Sequence, residues 1–121
     1  MIDQIEKVLE VMKTDYYEWT VTKRKQNKSE YFNEEYARER CTEYNNGLGV
    51  VEGSRYYKII SNRGDQRTVA GFVVKAGHPK FKEGDLLKAA TWNAPAKNFA
   101  RGNVFDENSY KTDSVHWTGI R

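Results

Sequence analysis

The chain has 121 residues, enough for one domain with its own hydrophobic core and too few for two. Its hydrophobic fraction is only 38%, but eight Tyr, five Phe and three Trp offset this, because aromatic rings bury a large area per residue. The single cysteine, Cys41, excludes an internal disulfide and a cysteine-based metal site, and no apolar run is long enough to span a membrane. We therefore predict a single domain over residues 1–121 in a reducing, cytoplasmic compartment, without a signal peptide or a membrane partner.

The net charge of +3 is distributed unevenly along the chain. Residues 1–54 contain 8 Lys and Arg against 11 Asp and Glu, a balance of −3. Residues 55–121 contain 12 against 6, a balance of +6. An acidic N-terminal half followed by a basic C-terminal half is typical of a protein with an anion-binding surface. It equally fits two halves that attract each other in the fold.

The N-terminal residues predict a helix followed by a strand. In residues 15–23, the apolar positions 17, 19 and 21 alternate with polar ones, which is typical of a strand with one buried face. The helix, predicted over residues 2–13, rests on five apolar residues with helical spacing: Ile2, Ile5, Val8, Leu9 and Met12.

Residues 23–28 form the densest positive run in the chain. Such a run is either a solvated loop between two elements or a contact to nucleic acid, and its short length favours the loop.

A second helix is predicted to begin after Ser29 as N-cap. Its outer face is acidic, but no histidine accompanies the carboxylates, so a solvated face is favoured over a metal site. Its inward stripe is predicted to consist of Phe32, Tyr36, Ala37, Cys41 and Tyr44, which makes Cys41 a core residue rather than a nucleophile.

The remainder of the chain predicts strands separated by turns. The strands are expected at residues 50–51, 56–61, 67–75, 86–92, 103–105 and 114–120, with residues 62–65 as a hairpin turn. A short helix is predicted between 93 and 102, with Asn93 as N-cap, Pro95 in its first turn and Gly102 after its last residue.

This order of elements predicts an α+β fold. Two N-terminal helices pack on a curved, mostly antiparallel sheet that carries one short inserted helix. Partial closure of the sheet into a barrel is an alternative outcome, and Gly71 and Gly84 are the expected bending points.

The sequence contains no motif of a known catalytic mechanism. HxxH, HExxH, CxxC, GxSxG and a phosphate-binding glycine loop are all missing from it. An acid–base pair of His116 with Asp85 or Glu83 would require the fold to bring these side chains together. We therefore predict no metal and no cofactor, and a nucleotide-handling enzyme ranks third among the functions.

The leading prediction is a basic, aromatic face that binds nucleic acid or another polyanion. Lysine and arginine bind phosphates, exposed rings stack on bases, and the start of the helix near Pro95 would offer free N–H groups. The alternative for each ring, including Phe99 and Tyr110, is a place in the core of a domain short of aliphatic residues. The candidate ligand-binding residues are Lys88, Trp92, Asn93, Lys97, Arg101 and Trp117.

The runner-up is a homo-oligomeric protein-interaction module without affinity for nucleic acid. Tyrosine and arginine are favoured at the centres of protein interfaces. A long edge strand, such as the final one, could pair with its symmetry mate and form a homodimer.

Part of the sequence resembles small uncharacterised proteins of tailed phages that infect marine bacteria. The similar residues are 81–105, FKEGDLLKAATWNAPAKNFARGNVF, together with the Trp-Thr-Gly triplet at 117–119. The resemblance implies a phage origin and expression inside a bacterial host, and it implies no functional residues.

Overall fold

The computed structural model describes residues 1–23, 33–110 and 114–121, and it confirms the predicted α+β class. The helices are α1 (Ile2–Tyr17), continued by a π-helical stretch (Glu18–Lys23), and α2 (Glu34–Gly47). A single turn of 3₁₀-helix covers Glu107–Ser109. None of the helices in the described ranges is long and apolar enough to cross a lipid bilayer. The strands are β1 (Leu48–Glu52), β2 (Tyr56–Arg63), β3 (Gln66–Val74), β4 (Leu86–Leu87), β5 (Val115–His116) and β6 (Gly119–Ile120).

The strand predicted over residues 15–23 is wrong, because this segment is helical. Tyr16 lies four residues after Met12 and Thr20 four residues after Tyr16, so all three continue one face of the helix and all three are buried. Tyr17 and Trp19, which suggested a strand, are exposed instead. Burial of the helical stripe therefore outweighs the local alternation of apolar and polar residues.

Helix α2 begins at Glu34 with Asn33 as its N-cap. The Asn33 side chain accepts a hydrogen bond of 3.1 Å from the Tyr36 backbone N–H, which satisfies one of the free donors of the first turn. The predicted cap Ser29, the stripe residue Phe32 and the basic residues 24–28 lie outside the described residues. The predicted stripe is confirmed at Ala37, Cys41 and Tyr44, which are buried, and it is wrong at Tyr36, which is 52% exposed.

Strands β1 to β4 form one open antiparallel sheet in sequence order. Within the described residues β1 and β4 form opposite edges of the sheet, so the sheet does not close into a barrel and that alternative prediction is wrong. The register of β2 and β3 shifts between Ile59 and Ile60, next to the predicted bending point Gly71. A bulge of this kind bends the sheet and strengthens its twist.

The two faces of the sheet bury different partners. On the inner face, apolar residues of α1 pack with sheet residues in one cluster that includes Ile5, Met12, Ile59, Val73 and Leu86. On the outer face, the next residues along the same strands form a second cluster, which is partly covered by the chain on either side of β4: Phe72, Val74 and Leu87 with Phe81, Ala89 and Ala100.

The helix predicted between 93 and 102 is wrong. Residues 90–94 form a turn in which the N–H groups of Ala90 and Thr91 both donate to the Ala94 carbonyl at 3.0 Å. The chain then returns beside β4, where the Ala96 N–H donates to Lys88 and the Arg101 N–H to Leu86. A helix of this length is unstable alone in water, and backbone pairing with the sheet satisfies the same groups.

The predicted strands after residue 85 are shorter than expected. Only Leu86–Leu87 of the 86–92 prediction is a strand, and Asn103 forms an isolated bridge with Asp85. The predicted final strand over 114–120 is wrong as a single element, because β5 and β6 pair with each other as a hairpin.

Candidate polyanion-binding site

The outer face of the β2–β3 hairpin brings two cations to one tryptophan. Lys58 Nζ lies 4.9 Å and Arg67 Cζ 5.1 Å from the centroid of the Trp92 ring, which is 40% exposed. Lys58 Nζ also donates a long hydrogen bond of 3.5 Å to Asn93 Oδ1. Among the ion pairs of the described residues, none involves Lys58 or Arg67. We call Lys58, Arg67, Trp92 and Asn93 the Trp92 cluster.

Strand alternation places the two cations of this cluster on the same face. Lys58 pairs with Phe72 of the outer face, and Arg67 pairs with Asn62, four residues after Lys58 on β2. Trp92 and Asn93 lie in the turn over residues 90–94, which Thr91 Oγ1 braces by accepting a hydrogen bond of 3.1 Å from the Ala94 N–H. A strand pair and a braced turn therefore meet at the site.

A pocket of about 350 Å³ adjoins the Trp92 cluster. This volume is at the lower end of the range for small-molecule sites. Two aromatic side chains and two cations are among its walls, and its lining residues are Val51, Gly53, Ser54, Arg55, Tyr56, Lys58, Phe72 and Asn93.

His78 holds one wall of this pocket in place. Its Nδ1 accepts hydrogen bonds of 3.1 Å from the backbone N–H groups of Lys80 and Phe81. The proton of the neutral ring therefore sits on Nε2, which donates to Tyr56 Oη at 2.8 Å. Tyr56 in turn packs edge-on against Phe72, with ring centroids 5.7 Å apart.

We expect His78→Ala to lower the free energy of unfolding by about 1–2 kcal/mol, because three polar groups lose their partner. His78→Asn is the matched variant, since the asparagine Oδ1 can accept from the N–H groups two and three residues later. It should recover part of the loss, because it cannot reach Tyr56. Urea unfolding of the three proteins measures the effect, and equal stability of all three would contradict it.

Three other predicted ligand residues contact residues outside this cluster. Lys88 is exposed beside the end of β4, and its carbonyl accepts from the Ala96 N–H at 2.7 Å. The carbonyl of Lys97 accepts a hydrogen bond from Lys80 Nζ. The Arg101 guanidinium stacks 3.9 Å from the centroid of Phe99, which is 59% exposed, so this ring is not the core residue of the alternative interpretation.

Trp117, the sixth predicted ligand residue, belongs to the other side of the sheet. Arg63, which follows Asn62 on β2 and so points to the inner face, lies 5.2 Å from the Trp117 ring. The Trp117 ring packs against the rings of Tyr16 and Trp19, with ring centroids 5.1 Å apart in both pairs. The structure therefore does not bring Trp117 together with Trp92.

A separate groove of about 420 Å³ lies between α1 and β5. Its polar groups are Glu10, Thr14, Asp15, Glu18 and His116. Asp15 Oδ2 lies 3.9 Å from His116 Nδ1, and it accepts a hydrogen bond of 2.9 Å from the backbone N–H of residue 117. Asp15 thus ties the C-terminal hairpin to α1.

Among the carboxylates that the structure describes, Asp15, rather than Asp85 or Glu83, lies beside His116. Asp85 instead accepts a hydrogen bond of 2.9 Å from Asn103. In the described part of the chain, no group of three or more His, Cys, Asp or Glu side chains is arranged to hold a metal ion.

Burial makes the thiol of Cys41 a poor nucleophile. Cys41 lies in a core cluster with Tyr16, Ala37 and Tyr44, and burial raises the pKa of its thiol. A raised pKa keeps the thiol protonated and poorly nucleophilic. Cys41 is therefore a core residue.

Sequence reasoning missed Lys58, Arg67 and Arg55. The signal for the first two was present, because a two-residue turn at Gly64-Asp65 places Asn62 opposite Arg67 and hence Arg67 on the face of Lys58. Nothing in the sequence places Trp92 over that face.

No curated protein and no solved structure gives a significant match to the chain. A family model, described as a family of unknown function, DUF7717, matches residues 3–121. The match extends over both helices, the sheet and the C-terminal hairpin, so the protein belongs to the family of unknown function DUF7717.

Proposed function

We propose that this protein is a non-enzymatic domain that binds single-stranded nucleic acid on the outer face of β2 and β3. The observation that supports this most directly is the convergence of Lys58 and Arg67, neither in an ion pair with a described residue, on the half-exposed Trp92 ring. Cations beside an exposed ring are the usual means of holding a single strand without reading its sequence.

The distribution of charge supports the same face. Residues 55–105 contain ten Lys and Arg against three Asp and Glu, a balance of +7. Helices α1 and α2 each contain four acidic and two basic residues, a balance of −2. Because α1 packs against the inner face, a polyanion would approach the outer face and avoid the acidic helix.

The contacts within the Trp92 cluster are weak enough for a ligand to compete with them. A cation over an exposed ring contributes about 0.5–1 kcal/mol. A phosphate can attract both cations, and a base can then stack on Trp92 in their place. Phe99 with Arg101 offers a second ring and cation of the same kind on the chain after β4.

Titration of tryptophan fluorescence with a single-stranded oligonucleotide tests the proposal. We expect binding at low salt that weakens steeply as salt rises, because phosphate contacts release counterions. Lys58→Gln/Arg67→Gln should weaken binding at least tenfold and reduce the slope of log K against log salt by about 1.4, or about 0.7 per lost phosphate contact.

Lys7→Gln/Lys13→Gln is the matched control, because it removes the same charge from α1 on the inner side. It should leave the salt slope unchanged. No binding of the unaltered protein at low salt, or an equal loss in both double variants, would rule out the proposed site.

Two other expectations remain predictions. A homodimer through an edge strand would now involve β1, which forms one edge of the four-stranded sheet and exposes Val51. A phage origin rests only on the resemblance of residues 81–105 and 117–119.

A further inference from the structure

The pocket beside the Trp92 cluster has aromatic walls and a few polar groups, a composition that suits one flat ring. Tyr56 and Phe72 form an edge-on aromatic pair in its wall, and the hydrogen bond to His78 fixes the Tyr56 ring. Ser54 and Asn93, which also line the pocket, add hydrogen-bonding groups. Apolar walls with a few polar groups are the usual composition of a small-ligand site.

Lys58 connects this pocket with Trp92. Its Nζ lies 4.9 Å from the centroid of Trp92 and 5.9 Å from the centroid of Phe72 in the pocket. One ammonium group thus has an exposed ring as one neighbour and the ring of a pocket wall as another. Arg55 also lines the pocket and adds a second positive charge.

We propose that this arrangement binds two consecutive nucleotides of a single strand. The phosphate that joins them contacts Lys58, one base stacks on Trp92, and the next base enters the pocket beside Tyr56. This inference rests on the proposed nucleic-acid function and adds the unit that the site recognises.

Such a site discriminates between strands by their bases as well as by their charge. A base can enter the pocket only when it is unstacked and unpaired, so a duplex presents phosphates to Lys58 but no base to the pocket. A strand that has phosphates but no bases should be bound through charge alone.

The test compares a thymidine oligonucleotide of about ten residues with an abasic strand of equal length and charge. We expect the unaltered protein to bind the base-bearing strand at least tenfold more tightly, since each stacked base contributes a factor of this size. Val51→Leu/Ser54→Leu fills the pocket with aliphatic bulk and changes no charge. This double variant should lower the ratio of the affinity for the base-bearing strand to that for the abasic strand to about one third or less of its original value. It should leave the slope of log K against log salt unchanged.

Val11→Leu/Thr14→Leu, in the groove between α1 and β5, is the matched control and should keep the full advantage. Tyr56→Leu provides a second variant, because it removes a ring from the pocket without adding bulk. If both pocket variants keep the full advantage, or if the unaltered protein binds the two strands equally, the dinucleotide inference is wrong while the charge-based function stands. If neither strand binds at low salt, both proposals are wrong.

Discussion

Trp117→Ala should lower the free energy of unfolding by about 3 kcal/mol, whereas Trp92→Ala should cost about 1 kcal/mol. The Trp117 ring joins three segments, because it packs against Tyr16 of α1, Trp19 of the π-helical stretch and, edge-on, Tyr44 of α2. Trp92 is 40% exposed, and its ring contacts the two cations Lys58 and Arg67. Chemical unfolding of the two variants measures the difference.

The order of the two variants should reverse in a binding experiment. Trp92→Ala should weaken binding of a single-stranded oligonucleotide at least fivefold through loss of stacking. Trp117→Ala, assayed at a temperature where it is folded, should bind as the unaltered protein does. Equal affinity of both variants would show that Trp92 is not a ligand platform, and equal stability would show that Trp117 is not a packing residue.

Gly47→Ala should lower the free energy of unfolding by about 3 kcal/mol. Gly47 is the last residue of α2, and the backbone of Asn62 on β2 passes directly against it. A Cβ at this position would overlap the Asn62 carbonyl oxygen and lie 2.9 Å from the carbonyl carbon. Both atoms are backbone, so relief requires a shift of α2 away from the hairpin.

Gly49→Ala, two residues further along in β1, is the matched control. A Cβ at position 49 meets no atom within 4 Å, and alanine loses less backbone entropy than glycine on folding. Its stability should equal or slightly exceed that of the unaltered protein. A thermal or urea midpoint for Gly47→Ala that matches the one for Gly49→Ala would contradict the close approach.

The helical stripes were predictable because they depend on local spacing. The five apolar residues predicted for α1 lie in the observed helix, and Ala37, Cys41 and Tyr44 form the buried side of α2. The strand prediction over 15–23 failed, because Tyr16 and Thr20 extend the buried face of α1 and this longer-range packing decided the conformation.

The candidate site was predictable only in part. Trp92 and Asn93 belong to it, but the helix expected to present them does not form, and their cationic partners Lys58 and Arg67 come from strands about 30 residues earlier. Lys88, Lys97 and Arg101 lie in the segments before and after the turn that carries Trp92. Trp117 shares their basic, aromatic context in the sequence and packs on the opposite face.

The sequence by itself determined the α+β class, part of the buried face of each helix, the β2–β3 hairpin turn and the separation of acidic and basic residues along the chain. These properties depend on residues a few positions apart, so spacing reveals them. Only the tertiary structure decided which aromatic rings are exposed and which cations meet them. The face on which Trp92 or Trp117 lies depends on where the chain crosses the sheet. Contacts between residues far apart in the sequence, such as Asp15 with Trp117, set those crossings.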